Sequence, residues 1–224
     1  MLAAVLLNLP PEGNGMTHKG LFAGLAGFLA ATSLMGLTSA RAAEATAVAT
    51  EAGPSKMRVS ALFVPSPIGV LHSGPPGDVV TVGSQPSFGF ATAFDFVAHR
   101  NVFVGFGAGY TFNIQARGRD GEDTATAFDL TFRAGGIVPI GRRFAAYGYL
   151  APGYSLMRGA PGGLTPQGPI VGVHAGALFD LTPTLFLAGE LGYQAGFQRA
   201  TADQLDIPFD ASFFQIGLGM GVRI

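Results

Sequence analysis

Large apolar residues alternate with small or polar ones, at a period of two, through most of the sequence after residue 56. In residues 88–96, four phenylalanines fall on one parity, while glycine, alanine and Asp95 fall on the other. Residues 215–224 repeat the pattern with Ile, Leu, Met and Val against Gln, Gly and Arg. Successive side chains of a β-strand point to opposite faces. The pattern therefore predicts strands that have one large apolar face and one face of small residues.

The alternation recurs in eight segments, and each predicts one strand. The facing of the fifth segment stays open, because Pro152 and mixed phasing interrupt it. Short links alternate with long polar or Pro/Gly-rich ones, which is typical of an up-and-down barrel. The predicted strands are 57–64, 88–96, 102–112, 128–133, 144–156, 171–179, 185–194 and 215–224. The short links are 99–101, 141–142 and 182–184, and the long ones are 65–86, 114–123, 159–168 and 199–210.

The composition decides between a barrel in water and a barrel in a membrane. Hydrophobic residues make up 48% of the chain and charged residues only 12%, whereas soluble domains carry about 25% charged residues. A soluble, lipocalin-like barrel is the rival fold, and it needs a charged outer wall. Here the non-apolar face is mostly glycine and alanine, which suits a narrow lumen. The sequence therefore predicts an all-β fold, an eight-stranded antiparallel transmembrane β-barrel whose phenylalanine-bearing face meets lipid.

The N-terminal residues have the pattern of an export signal. A basic pair at 18–19 precedes an apolar stretch at 20–37, and a small-x-small cleavage pattern follows at 40–42. An N-terminal membrane anchor is the alternative. Prolines and glycine interrupt the first fifteen residues, which leads to the hypothesis that translation begins at Met16. The predicted organisation is a cleaved signal peptide at 1–42, a flexible leader at 43–55 and the barrel at 56–224.

On these features the chain resembles the small bacterial outer-membrane β-barrel family, which includes the OmpA-type transmembrane domain and the OmpX and OmpW groups. The resemblance implies residence in the outer membrane of a Gram-negative bacterium, with short periplasmic turns and longer external loops. It also implies two partners, the outer-membrane lipid and the barrel insertion machinery, which recognises the C-terminal strand. Members of the family usually end in an aromatic residue, whereas this chain ends in Ile224.

The alternation places a small set of polar residues on the lumenal face. We interpret them as a hydrogen-bond and ion-pair network, because buried charges must be paired or solvated. Asp129 and Arg133 share one face of one strand and are expected to be near neighbours. A gate in a narrow solute path is the alternative, since lumenal glycines could leave void volume. The candidate residues are Arg58, Asp95, Asp129, Arg133, His174, Glu190, Gln194, Gln215 and Arg223.

The remaining features bear on function by exclusion. With no cysteine, the chain has neither disulfides nor thiolate sites, and a net charge of −1 offers no footprint for nucleic acid. His174 and Glu190 could orient a nucleophile, but Gly176 stands where a lipase-type barrel would carry serine. No catalytic residue, cofactor or metal is predicted. The predicted function is a non-enzymatic structural or surface-interaction barrel with an unspecified surface ligand. The alternatives are a narrow channel or barrel for a small, even hydrophobic, solute and, less favoured, an outer-membrane lipid hydrolase.

Overall fold

The computed structural model describes residues 57–74, 79–99, 101–117, 124–160, 164–202 and 205–224. The predicted signal peptide, the Met16 start and the leader lie outside these residues. Within the described residues, no helix is long and apolar enough to cross a membrane. The strands are β1 (Met57–Ser66), β2 (Ile68–Ser73), β3 (Val80–Gly83), β4 (Ser87–His99), β5 (Val102–Ile114), β6 (Ala125–Pro139), β7 (Phe144–Arg158), β8 (Gln167–Asp180), β9 (Leu185–Ala202) and β10 (Leu205–Arg223).

The strands form one antiparallel sheet that closes into a ring, because β1 pairs with both β4 and β10. The register of β1 with β4 continues unchanged into β2 with β3, so these four segments form one long hairpin. The two breaks fall at Pro67 and Pro86, which have no N–H to give to the ladder. The ring therefore has eight positions, and the predicted eight-stranded up-and-down barrel is confirmed.

The three short links lie at one end of the barrel. They join β4 to β5, β6 to β7 and β8 to β9, each within a few residues. In the last of them, the Leu185 N–H donates to the Thr182 hydroxyl at 2.9 Å. The ends of the chain meet at the same end of the barrel, where the Ile224 N–H donates to the Met57 carbonyl at 3.0 Å.

At the opposite end, two of the predicted long links turn out to be largely strand. Segment 65–86 contains β2 and β3, and segment 199–210 contains the ends of β9 and β10. The sequence prediction of irregular loops there was wrong. A cluster of inward-facing apolar side chains continues beyond the predicted strand ends and supports further strand pairing. This loop-end cluster comprises Leu71, Ile114, Ala125, Ala127, Met157, Ala160, Phe209, Ala211 and Phe213.

The structure also settles the facing of the fifth predicted strand, which is β7. Tyr147 and Tyr149 are buried in the lumen, whereas Leu150 and Tyr154 are exposed on the outer face. Pro152 pairs with β8 but not with β6, so the ladder to β6 is interrupted there without changing the facing. The mixed phasing in the sequence therefore reflects two tyrosines that point inward.

Apolar side chains cover the outside of the ring on every strand from β4 to β10. Phe106 is 66% exposed and Leu218 is 59% exposed. Two aromatic residues that lie near the ends of the sequence pattern face inward instead. Phe103 is fully buried, and Phe213 belongs to the loop-end cluster. Both residues therefore pack inside the barrel and are not part of its apolar outer face.

Candidate functional site in the barrel lumen

The polar residues predicted from the sequence lie on the inner wall. Six of them are buried, namely Arg58, Asp95, Asp129, Arg133, His174 and Glu190. Gln194 and Gln215 are partly buried, and the Arg223 side chain is 19% exposed. Each of these residues lies at a strand position of the parity opposite to that of the exposed apolar residues, so its side chain points into the lumen. They divide into a central group, a loop-end group and a turn-end group.

In the central group, two arginines flank one carboxylate. The Arg58 guanidinium lies 3.4 Å from Asp95 Oδ2, and Arg133 Nε lies 3.5 Å from Asp95 Oδ1. Arg133 therefore pairs with Asp95 rather than with Asp129, which the sequence had placed beside it. The expectation was wrong because residues four apart on one strand are roughly 13 Å apart, whereas residues on neighbouring strands converge inside a narrow barrel.

Glu190 is the second carboxylate of the central group. The Tyr147 hydroxyl donates to it at 2.9 Å and the Tyr149 hydroxyl at 3.0 Å. His174 Nδ1 lies 3.6 Å from Glu190 Oε1. The two tyrosines were missed in the sequence because the facing of their strand was unresolved. Their parity with Ser155 and Met157, both buried, is the signal that could have found them.

Aromatic rings hold the central charges in place. The His174 ring stacks on Tyr149 with centroids 4.7 Å apart and an interplanar angle of 3°. The Arg133 guanidinium lies 4.1 Å from the centroid of the same tyrosine, and Arg58 lies 4.7 Å from that of Phe103. A guanidinium over an aromatic face is attracted by the ring quadrupole. The buried cations are therefore compensated by rings as well as by carboxylates.

Lumenal glycines make room for these side chains. A Cβ at Gly192 would lie 2.6 Å from the Cε1 atom of His174, and one at Gly217 would lie 2.6 Å from the Cγ atom of Glu190. Gly109 differs, because a Cβ added there would lie 3.9 Å from its nearest neighbouring atoms. Long side chains from adjacent strands therefore fill most of the empty volume that the lumenal glycines were expected to leave.

The other two groups lie toward the ends of the barrel. At the loop end, Gln194 Nε2 donates to Asp129 Oδ2 at 2.9 Å, and Gln215 Nε2 donates to Gln194 Oε1 at 3.5 Å. At the turn end, Arg223 donates to Asp180 at 2.6 Å. Asp180 was not among the predicted residues, although it has the same parity as His174.

A cavity of about 70 Å³ lies between the central and loop-end groups. That is several times the roughly 10–15 Å³ that holds one water molecule, so the cavity has room for several waters. Arg133, His174 and Glu190 line it together with Gly107 and Gly109. The loop-end cluster lies beyond one end. A turn-end cluster lies at the other end and contributes Leu62, Tyr149 and Ala151 to the cavity wall. It comprises Leu62, Phe103, Tyr147, Tyr149, Ala151, Leu178, Phe186 and Ala188.

The lumen offers little recognisable catalytic or metal chemistry. In the described part of the chain, no group of three or more His, Cys, Asp or Glu side chains could hold a metal ion. His174 and Glu190 lie together as expected. However, Gly176 is the cross-strand partner of Glu190 and provides no hydroxyl for nucleophilic attack. What the arrangement does provide is a small cavity lined by apolar and charged side chains, with the central charges paired with one another.

Comparisons with known proteins find similarity in the fold. No protein-family model matches the chain, and no curated protein matches it. The crystal structure of the outer membrane protein OprG from Pseudomonas aeruginosa aligns with a TM-score of 0.59 and 12% identity, covering 75% of this chain and 95% of that one. The solid-state NMR structure of outer membrane protein AlkL in lipid bilayers aligns with a TM-score of 0.54 and 14% identity, covering 80% and 95%.

A third solved structure, Neisserial surface protein A, aligns with a TM-score of 0.45 and 12% identity, covering 76% of this chain and 98% of that one. At these identities the likeness concerns the path of the backbone and not the chemistry of the lumen. The chain therefore has the fold of the small outer-membrane β-barrel proteins, as the resemblance in its sequence pattern predicted.

Proposed function

We propose that the chain is an integral protein of a bacterial outer membrane, exported through a cleaved signal peptide, with a non-enzymatic structural or surface-interaction role. The observation that carries the proposal is the continuous apolar belt on the outside of the barrel. Leu185 and Phe197 bound the belt on β9. At about 3.3 Å per residue and a tilt of about 45°, that span rises about 28 Å, close to the apolar band of about 25 Å in such barrels.

Charges on the outer face of the described strands begin where the belt ends. Arg158 follows Leu156 on β7, and Arg199 follows Phe197 on β9, each at the next outward position. The Arg199 side chain is 73% exposed and pairs with Asp206 on β10 at 2.5 Å. An uncharged apolar face of this size would be unstable in water. In a membrane, the same face would lie in the hydrocarbon and the flanking charges would lie at the lipid headgroups.

The lumen supports a closed barrel rather than an open pore. Apolar clusters occupy both ends, and the buried charges of the central group are paired with one another. Outer-membrane lipid is then one partner, and the barrel insertion machinery, recognising β10, is another. A surface ligand would meet the extended β2–β3 and β9–β10 hairpins at the loop end.

A narrow passage or binding barrel for a small solute is the second candidate. The observation in its favour is that two smaller cavities, of about 10 Å³ each, adjoin the central one. Asp129 and Gln194 line the boundary on the loop-end side, and Arg133 and Glu190 line the boundary on the turn-end side. A lipid hydrolase receives less support, because Gly176, the cross-strand partner of Glu190, provides no hydroxyl.

Two experiments test these proposals. The mature chain, refolded in detergent, should remain monomeric only while detergent or lipid is present. A folded monomer in plain buffer would refute the membrane proposal. Planar-bilayer recording should show no steady conductance if the barrel is closed. Reproducible small conductance that changes in Arg133→Ala or Glu190→Gln would favour the second candidate, and turnover in a lipid-deacylation assay would favour the third.

A further inference from the structure

The cavity at the loop end of the lumen is lined by oxygen-bearing side chains together with apolar ones from the loop-end cluster. Its volume is about 10 Å³, which is close to the 10–15 Å³ that holds one water-sized occupant. Hydroxyl and amide groups from five strands converge on it beside a single carboxylate. The residues that matter here are Thr111, Asp129, Ser155, Gln194 and Gln198.

Two of these oxygens are buried without a hydrogen-bond partner. Asp129 is 7% exposed and Gln198 is 3% exposed. The Gln194 amide satisfies Asp129 Oδ2, but Asp129 Oδ1 and Gln198 Oε1 accept no hydrogen bond. Both residues line the same cavity. Buried acceptors without donors are unfavourable, so an occupant that both oxygens can bind would be stabilised there.

The charge balance of the lumen distinguishes Asp129 from the other buried carboxylates. Asp95 lies between Arg58 and Arg133, and Glu190 lies beside His174. By contrast, no described Arg, Lys or His side chain lines the loop-end cavity. A buried carboxylate must be neutralised or paired with a cation. Among the described residues, Asp129 bonds to two neutral partners, the Gln194 amide and the Ser155 hydroxyl.

We propose that the loop-end cavity binds one sodium-sized monovalent cation between Asp129 Oδ1 and Gln198 Oε1. Carboxylate, amide and hydroxyl oxygens are the donors that hard cations prefer. One carboxylate neutralises one positive charge, whereas a divalent ion would leave a buried net charge.

The test measures the unfolding equilibrium of the refolded full barrel in sodium, potassium or choline chloride at one ionic strength. Once sodium exceeds its dissociation constant, each tenfold increase should lower the unfolding equilibrium constant about tenfold. Choline should have no such effect, and potassium a weaker one. Asp129→Asn should remove the sodium dependence, and Thr111→Val should weaken it. The matched control, Asp206→Asn at an exposed pair, should keep it.

Equal midpoints in the three salts would overturn the proposal, because a water molecule or a proton would then satisfy Asp129. Retained sodium dependence in Asp129→Asn would also overturn it, since the carboxylate would not be a ligand. If that variant does not refold, radioactive sodium in equilibrium dialysis against the wild-type barrel decides. One bound ion per chain supports the site, and none refutes it.

Discussion

A lumenal glycine gives a sharp test of how the barrel interior is packed. Gly192 on β9 lies directly across from His174 on β8. A Cβ at position 192 would lie 2.6 Å from Cε1 and 2.9 Å from Cγ of the His174 ring. The ring is held between Tyr149 and Glu190, so it has little freedom to move away. Overpacking of this kind costs about 1–3 kcal/mol, which we expect for Gly192→Ala.

The matched control is the same substitution on the other side of the lumen. A Cβ at Gly109 would meet its nearest atoms at 3.9 Å, an ordinary contact. Gly109→Ala should therefore leave stability unchanged or raise it by about 0.5–1 kcal/mol, because alanine restricts the unfolded chain. Both changes add one methyl group to an inward strand position, so the expected difference in sign comes from the neighbours alone.

Denaturant titration of the barrel refolded in phospholipid vesicles, followed by circular dichroism, measures both variants. A double variant, Gly192→Ala with His174→Ala, completes a mutant cycle. If the clash is with the imidazole, the glycine change should cost much less when His174 is absent. Equal stability of Gly192→Ala and Gly109→Ala, or a cost at Gly192 that persists without the imidazole, would refute this account of the packing.

Three further predictions use the same titration. Leu218→Arg places a charge midway along the apolar belt and should cost about 2–4 kcal/mol if that face meets hydrocarbon; no loss would contradict the belt. Phe103→Ala should cost about 3–5 kcal/mol because the ring is fully buried, and clearly more than Phe106→Ala on the outer face; equal losses would argue against the inward facing. Glu190→Ala should cost about 3–5 kcal/mol because it removes the carboxylate from two tyrosine hydroxyls and a histidine. Glu190→Gln should cost less, because it keeps the size of the side chain and one acceptor oxygen. A larger loss in Glu190→Gln than in Glu190→Ala would show that the charge matters more than the shape of the side chain.

The sequence by itself determined which face the residues take in seven of the eight predicted strands. The parity of residues 88–96 and 215–224 predicted that phenylalanine and aliphatic side chains point outward, and that Asp95 and Arg223 point inward. This inference needs only the local geometry of a β-strand, in which successive side chains alternate. The same period predicted the inward facing of Asp129 and Glu190, although not the residues that they contact.

The tertiary structure decided which side chains meet inside the barrel. Arg133 pairs with Asp95 rather than with Asp129, and Glu190 is held by tyrosines whose facing the sequence left open. It also decided that segments 65–86 and 199–210 continue as strands, since the apolar cluster that supports them draws on five strands. The physical reason is that alternation is a property of one strand, whereas lateral neighbours depend on register. Register is fixed by hydrogen bonds between segments far apart in the chain, and by how the ring closes.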